Sequence, residues 1–420
     1  MQAQAQKPRS PATGSAASAG MSETALKRID DHLKRVYVDP GRFAGAQTLV
    51  YRRGQIVYQS SLGYADRERK APIKDDTIFR IYSMTKPITS VALMMLFEEG
   101  RIQLDDPVAK YIPEWANLGV FQAGIAPAFL TRPPARPMQI VDLLRHTSGL
   151  TYGFQNRTNV DAAYRDKGIG AFEKAGTLDC WIADLARIPL EFSPGEAWNY
   201  SVSTDVLGNI IQKISGMPFE QFVRQRILDP LGMTDTDFFV PEAKAHRLAA
   251  CYSADGEGGM TLQDDPATSS FLAPPDLISG GGGLVSTTAD YLAFCRALLN
   301  GGELGGVRLI GPKTLRLMTT NHLPGNRDLT EMSRSMFSEA TNAGIGFGLG
   351  FAVNMNPAST LLPGSVGEYY WGGAASTAFW IDPAEDLITI FMTQLLPSSS
   401  YPIRRELRAL VYGAITESNL

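Results

Sequence analysis

Strand-like composition occurs at both ends of this 420-residue chain and is sparse in its middle. Residues 46–51 and 56–63 are short β-rich runs separated by Arg52-Arg53-Gly54-Gln55, the pattern of a hairpin. Residues 345–353 (IGFGLGFAV), 367–371, 374–381 and 387–394 read as further strands, with Asp382-Pro383 opening a turn between the last two. Residues 101–280 instead carry many Pro and Gly punctuations and helical patterns such as 202–215 and 218–227. A short, isolated hairpin is not stable alone. The two β-rich ends are therefore expected to meet in one antiparallel sheet. This predicts an α+β fold in which residues 21–100 and 281–420 form an α/β domain and residues 101–280 an inserted, mainly helical domain. Residues 22–37, with Leu26, Ile29, Leu33 and Val36 at helical spacing, and residues from about Pro402 to Glu417 supply flanking helices. A cleft between two such domains is a common place for an active site.

Composition excludes several classes of partner. The chain is 44% hydrophobic and 20% charged, with a formal net charge of −4. Such a surface does not draw in nucleic acid or an anionic membrane, and no run of Lys and Arg forms a local basic arm. No segment has the ~18 consecutive apolar residues expected of a membrane span. Residues 1–20 (MQAQAQKPRSPATGSAASAG) lack the apolar run of a signal peptide and read as a flexible leader or tag, so a cytoplasmic location is expected. Cys180, Cys251 and Cys295 are far apart and odd in number, which suggests small core residues and not a disulfide framework.

The segment from Ile88 to Glu99 is apolar on nearly every face and ends at Gly100, so it reads as a buried helix. Pro87 lacks the amide that a helix interior requires and must lie in or near the first turn. The helix therefore starts close to Ser83, and Ser83 and Lys86, three residues apart, share a face. That end of a helix presents free N–H groups and favours developing negative charge. A serine hydroxyl needs a base to become a nucleophile, and a lysine serves only if its pKa falls well below ~10.4. A capping serine followed by a solvated lysine has the same spacing. The apolar helix that Lys86 opens favours the chemical reading. Tyr200 is the candidate third group. It follows the Pro194-Gly195 turn and precedes a helix starting near Ser203, where its phenol can exchange protons with Ser83 or simply anchor the loop.

Several ordered segments then resemble one family. Ser83-Met84-Thr85-Lys86 is similar to the SxxK box of serine β-lactamases and penicillin-binding proteins. Tyr200-Ser201-Val202 stands in the place of the Tyr-x-Asn box of class C β-lactamases. The segments 143–150 (LLRHTSGL), 281–287 (GGGLVST) and 348–351 (GLGF) resemble the wider family, and the likeness covers roughly residues 25–415. Trp371-Gly372-Gly373-Ala374 replaces the Lys-Thr-Gly box of β-lactamases and resembles family VIII carboxylesterases. The resemblance implies a β-lactamase/transpeptidase-like fold and hydrolysis of esters of short- or medium-chain acids through an acyl-enzyme. Ser83 would be the nucleophile, with Lys86 and Tyr200 sharing the base work. The backbone N–H groups of Ser83 and Ala374, the latter on an edge strand, would form the oxyanion hole. Trp371 would be an apolar wall, with Gly372 and Gly373 admitting substrate close to the strand. Losing the cationic box and the Asn, here Val202, leaves only weak β-lactam turnover as an expectation.

Other signals fall away. No GxSxG accompanies His32, His146, His246 or His322, so a Ser-His-Asp mechanism is disfavoured, and His146 is expected to satisfy nearby backbone groups. No metal-ligand spacing, GxGxxG or Gly-Lys-Ser/Thr phosphate loop occurs, so neither a metal nor a cofactor is implied. Gly280–Gly283 reads as close backbone packing beside the cleft, before the helix N-cap region Ser286-Thr287-Thr288-Ala289-Asp290. The competing readings are a β-lactamase or D-amino-acid peptidase on the same fold, and a non-catalytic penicillin-binding protein. The substrate is expected to be a small ester whose fit depends on residues 115–137 and 152–180.

Overall fold

The computed structural model describes residues 11–171, 176–334 and 343–420. Its centre is an eight-stranded antiparallel sheet. In chain order the strands are β1 (Gly45–Arg52), β2 (Gln55–Asp66), β3 (Ala71–Pro72), β4 (Ile345–Phe347), β5 (Ala352–Asn354), β6 (Tyr369–Gly372), β7 (Ala378–Asp382) and β8 (Leu387–Met392). The spatial order is β4-β5-β6-β7-β8-β1-β2-β3, so β1 from one end of the chain pairs with β8 from the other. The period-2 pattern decides which side chains serve which face. Leu49 and Tyr51 enter the larger core, and Ala46 and Val50 enter the smaller one.

The smaller core is closed by α1 (Glu23–Leu33) and α5 (Ile403–Tyr412), which contribute Leu26, Ile29, Leu33, Ile403, Leu407 and Val411. The larger core takes in α2 (Thr85–Glu98), α3 (Ser203–Ser215) and α4 (Thr288–Leu299). Every residue of α2 from Thr85 to Leu96 is buried. Pro87 is its third residue, where an intrahelical N–H bond would be missing anyway. Fully burying one large aliphatic side chain contributes about 1.5–3 kcal/mol. This burial anchors the start of α2 firmly in the core.

Several expectations need correction. Residues 1–10 lie outside the described residues, but residues 11–20 are not a loose leader. Ile56 donates to Ala12 O and Gly14 to Ile56 O, both at 3.0 Å, while buried Arg52 donates to Ala19 O and Gly20 O. The run 345–353 is not one strand. It folds back as β4 and β5 because Gly350 adopts φ +96°, and a Cβ on Gly348 would collide with Met318 O. Residues 374–377 form a turn, so β7 begins only at Ala378 and Ala374 is not on a strand. Strand β6 is interior, paired on both sides by β5 and β7. The middle of the chain also holds two hairpins, Val120–Ile125 with Ala128–Arg132 and Cys251–Ala254 with Met260–Asp264. Cys251 and Cys295 are buried, whereas Cys180 is exposed. Among the described residues no helix is long and apolar enough to cross a membrane.

Candidate active site

Ser83 lies in a single 3₁₀ turn, Tyr82–Met84, that runs directly into α2. Tyr82 holds φ +41°, a left-handed conformation unusual for a bulky residue and a local sign of strain. Lys86 is buried at the second position of α2. Its Nζ donates to Ser83 Oγ at 3.3 Å, Tyr152 Oη at 3.1 Å and Gly281 O at 2.6 Å. Three acceptors therefore surround the Lys86 amine. The shared helix face expected from the i, i+3 spacing is thus observed.

Tyr200 completes the contact. Its hydroxyl donates to Ser83 Oγ at 2.6 Å, and its ring centroid lies 4.5 Å from Lys86 Nζ. The residue is buried on the loop before α3. That loop is held at several points. Trp198 N donates to Met332 O, Asn199 N to His146 O, Asn199 Nδ2 to Leu150 O and Gln155 Nε2 to Tyr200 O. Rings from His146, Tyr152, Trp198 and Trp371 surround the phenol at centroid distances of 5.0–6.2 Å. Burial, and then the nearby Lys86 cation, push the His146 imidazole well below its ordinary pKa and keep it neutral. Its Nδ1 shares a 3.2 Å hydrogen bond with Ser201 Oγ. Val202, the residue standing in for the Asn of the Tyr-x-Asn box, is fully buried in the core.

Two residues at this centre, Tyr152 and Asp205, had no signal in the sequence strong enough to select them, and the 281–287 segment gave no sign that the Gly281 carbonyl meets Lys86. Tyr152 accepts from Lys86 and stacks on Phe154 at 4.7 Å. Burial, followed by the Asp205 carboxylate, raises its phenol pKa well above the ordinary value. Gly281 supplies the carbonyl facing Lys86, and Asp205 anchors the same residue through its N–H, in the preceding peptide. Asp205 Oδ1 accepts from Gly281 N at 3.0 Å and from Ser279 Oγ at 2.5 Å. A Cβ on Gly281 would strike the same carboxylate, so the glycine run does serve close packing beside the site. By sequence, Asp205 reads only as an acid in the first turn of α3, and Tyr152 only as a residue after the 143–150 segment.

Trp371, Gly372, Gly373 and Ala374 follow β6 to the same place. The Trp371 ring meets Tyr200 and Phe347, both at 5.4 Å. A Cβ on Gly372 would lie 2.5 Å from Arg404 Cζ, and one on Gly373 would collide with Ile81 O and Thr377 Oγ1. Protein groups thus fill the space a side chain would take at these glycines, while their backbones line the hollow beside Ser83. Two hollows meet at Ser83 and Ala374. One, of about 530 Å³, is lined by the rings of Tyr82, Tyr152, Phe154, Trp181 and Phe271. The other, of about 110 Å³, is lined by Trp198, Trp371, Leu329 and Ile345 and by backbone of Gly372 and Gly373. The segment 152–180 contributes to the larger hollow through Tyr152, Phe154, Gly170 and Ala171, with residues 172–175 outside the described residues. Residues of the 115–137 segment line a separate hollow.

Comparison with known proteins agrees with this architecture. The sequence profile of the family described as Beta-lactamase matches residues 31–413. Protein Rv1367c of Mycobacterium tuberculosis is 38% identical over 87% of this chain and 89% of its own length. Esterase EstB of Burkholderia gladioli is 30% identical over 89% of this chain and 91% of its own. The solved structure of EstCE1, described as a hydrolase with promiscuous acyltransferase activity, superposes with a TM-score of 0.76 at 26% identity, covering 94% of this chain and 99% of that one. The profile match spans nearly the whole fold, and the chain belongs to the β-lactamase family.

Proposed function

We propose that this protein is a serine carboxylesterase that cleaves esters of short- or medium-chain acids through an acyl-enzyme on Ser83. The observation that carries the reading is the contact of Ser83 Oγ with both Tyr200 Oη, at 2.6 Å, and Lys86 Nζ, at 3.3 Å. In this mechanism Lys86 enters as the neutral amine: Ser83 Oγ bonds to the ester carbonyl carbon while its proton passes to the Lys86–Tyr200 pair. The carbonyl oxygen becomes an oxyanion between the N–H groups of Ser83 and Ala374. The C–O bond to the alcohol then breaks, and Tyr200 protonates the departing oxygen. Water, activated by the same pair, releases the acid and restores Ser83. Trp371 walls the site, and Gly372 and Gly373 bring the oxyanion turn close to the nucleophile.

Likeness to EstB and EstCE1 supports ester over β-lactam as the substrate. So does the apolar Trp371 at the position where a β-lactamase places a cation. Weak nitrocefin turnover is compatible with this reading. The experiment compares p-nitrophenyl butyrate with nitrocefin for the wild type and Ser83→Ala. Ester turnover should dominate and fall by about four to six orders of magnitude in the variant. A phosphonate inhibitor should add its mass to the peptide containing Ser83. Faster nitrocefin turnover would overturn the esterase reading, and a fully active Ser83→Ala would overturn the mechanism.

A further inference from the structure

We propose that Arg404, on the first turn of α5, is a positioning residue that sets the direction of the Ala374 N–H. The inference rests on the role given to Ala374 in the esterase reading. Arg404 Nη2 donates to Gly373 O and to Thr377 O, both at 2.8 Å. These two carbonyls bracket the turn that carries Ala374. Gly373 N also donates to Thr377 O at 2.9 Å, and Ser376 N to Gly373 O at 3.1 Å. The turn thus draws two carbonyl dipoles toward one place, and the guanidinium offsets their repulsion.

The consequence for the site follows from peptide geometry. The Gly373–Ala374 bond is trans, so Gly373 C=O and Ala374 N–H point in opposite directions across one rigid plane. Holding the carbonyl toward Arg404 therefore fixes the N–H on the side opposite that guanidinium, at the cleft that Ser83, Ala374 and Arg404 all line. A cation on the carbonyl also polarises the peptide and strengthens the N–H as a donor. The two glycines of the segment make this arrangement possible. Gly372 leaves room for the guanidinium, and Gly373 lets the turn press against Ile81 O, two residues before the nucleophile. The turn is thereby referenced to α5 on one side and to the Ser83 loop on the other.

The test is steady-state kinetics of Arg404→Ala and Arg404→Lys on p-nitrophenyl butyrate, with Ser83→Ala in parallel. Arg404→Ala should lower kcat about 100-fold with KM within about twofold, because an oxyanion donor acts mainly in the transition state. Affinity for a trifluoromethyl ketone, which forms a tetrahedral adduct, should fall by the same factor. Guanidinium chloride at a sub-denaturing concentration should restore part of the rate. Arg404→Lys, one cation without the planar fork, should fall between the two. If Arg404→Ala fails to fold, Arg404→Lys carries the test through the same kcat and inhibitor readouts. Wild-type kcat in the folded variant, or a rise in KM alone, would overturn the proposal and would mark Arg404 as a structural or substrate-contact residue. A fully active Ser83→Ala would instead remove the esterase reading on which the proposal rests.

Discussion

The Tyr200 hydroxyl donates a 2.6 Å hydrogen bond to Ser83 Oγ, although the two residues are 117 positions apart in the chain. One oxygen is therefore in contact with a phenol and, at 3.3 Å, with the Lys86 amine. Both partners are buried and held by further contacts, so the geometry is set before any substrate arrives.

Removing only the Tyr200 hydroxyl isolates its chemical role. Tyr200→Phe should keep the ring among His146, Tyr152, Trp198 and Trp371 and leave the thermal midpoint nearly unchanged. Its kcat should fall about 10²–10⁴-fold, as expected for lost general acid–base catalysis. The loss should be smaller with p-nitrophenyl esters than with alkyl esters, since nitrophenolate departs without a proton. Kinetics on both ester types together with a thermal melt check this.

Tyr152→Phe tests the support of Lys86. The variant preserves the stack on Phe154 and removes the acceptor 3.1 Å from Nζ. A hydrogen bond to a charged group contributes about 1.5–3 kcal/mol, so kcat should fall roughly tenfold or more. KM should stay near its wild-type value. An unchanged kcat would show that Ser83 and Gly281 alone hold the lysine.

Asp205→Ala should act on the same lysine from further away. It strips the acceptor from Gly281 N and Ser279 Oγ, leaving two buried donors unpaired. The expected cost is about 2–4 kcal/mol in a urea denaturation experiment. Activity should drop as well, because Gly281, whose carbonyl faces Lys86, loses the hydrogen bond that anchors its N–H. A variant as stable as the wild type would contradict this account.

The buried His146 makes stability depend on pH in a defined window. Burial, aided by Lys86, holds its folded pKa well below the ordinary 6.5. The folded protein therefore stays neutral at this site while the unfolded chain takes up a proton as pH falls below that value. The sign is a loss of stability on acidification, at up to about 1.4 kcal/mol per pH unit for this one group. Urea midpoints between pH 5 and 7.5, compared with those of His146→Gln, should show a shallower acid limb in the variant. Equal slopes would assign the acid limb to other groups.

Much of the local structure is legible without coordinates. The β-rich composition of residues 46–51 and 56–63 produces β1 and β2, and the turn Arg53-Gly54 takes the two positive φ values, +47° and +85°, that a tight hairpin needs. The run IGFGLGFAV misleads because its glycines look like strand packing until a backbone neighbour, Met318 O, is known to occupy the space beside Gly348. The same limit applies to Gly372, whose reason is an arginine 32 residues later in the chain.

What the sequence by itself determined is what short-range sterics and periodicity control. Pro87 and an apolar run determine where α2 starts, and a spacing of three determines that Ser83 and Lys86 share a face. Only the tertiary structure decided what completes the site. Tyr152 and Gly281 reach Lys86 through contacts spanning 66 and 195 positions, Asp205 holds Gly281 across 76, and no local pattern encodes contacts of that range. The Ser83–Lys86 pair could be placed by helix geometry, but its partners depend on how the two ends of the chain close around the middle.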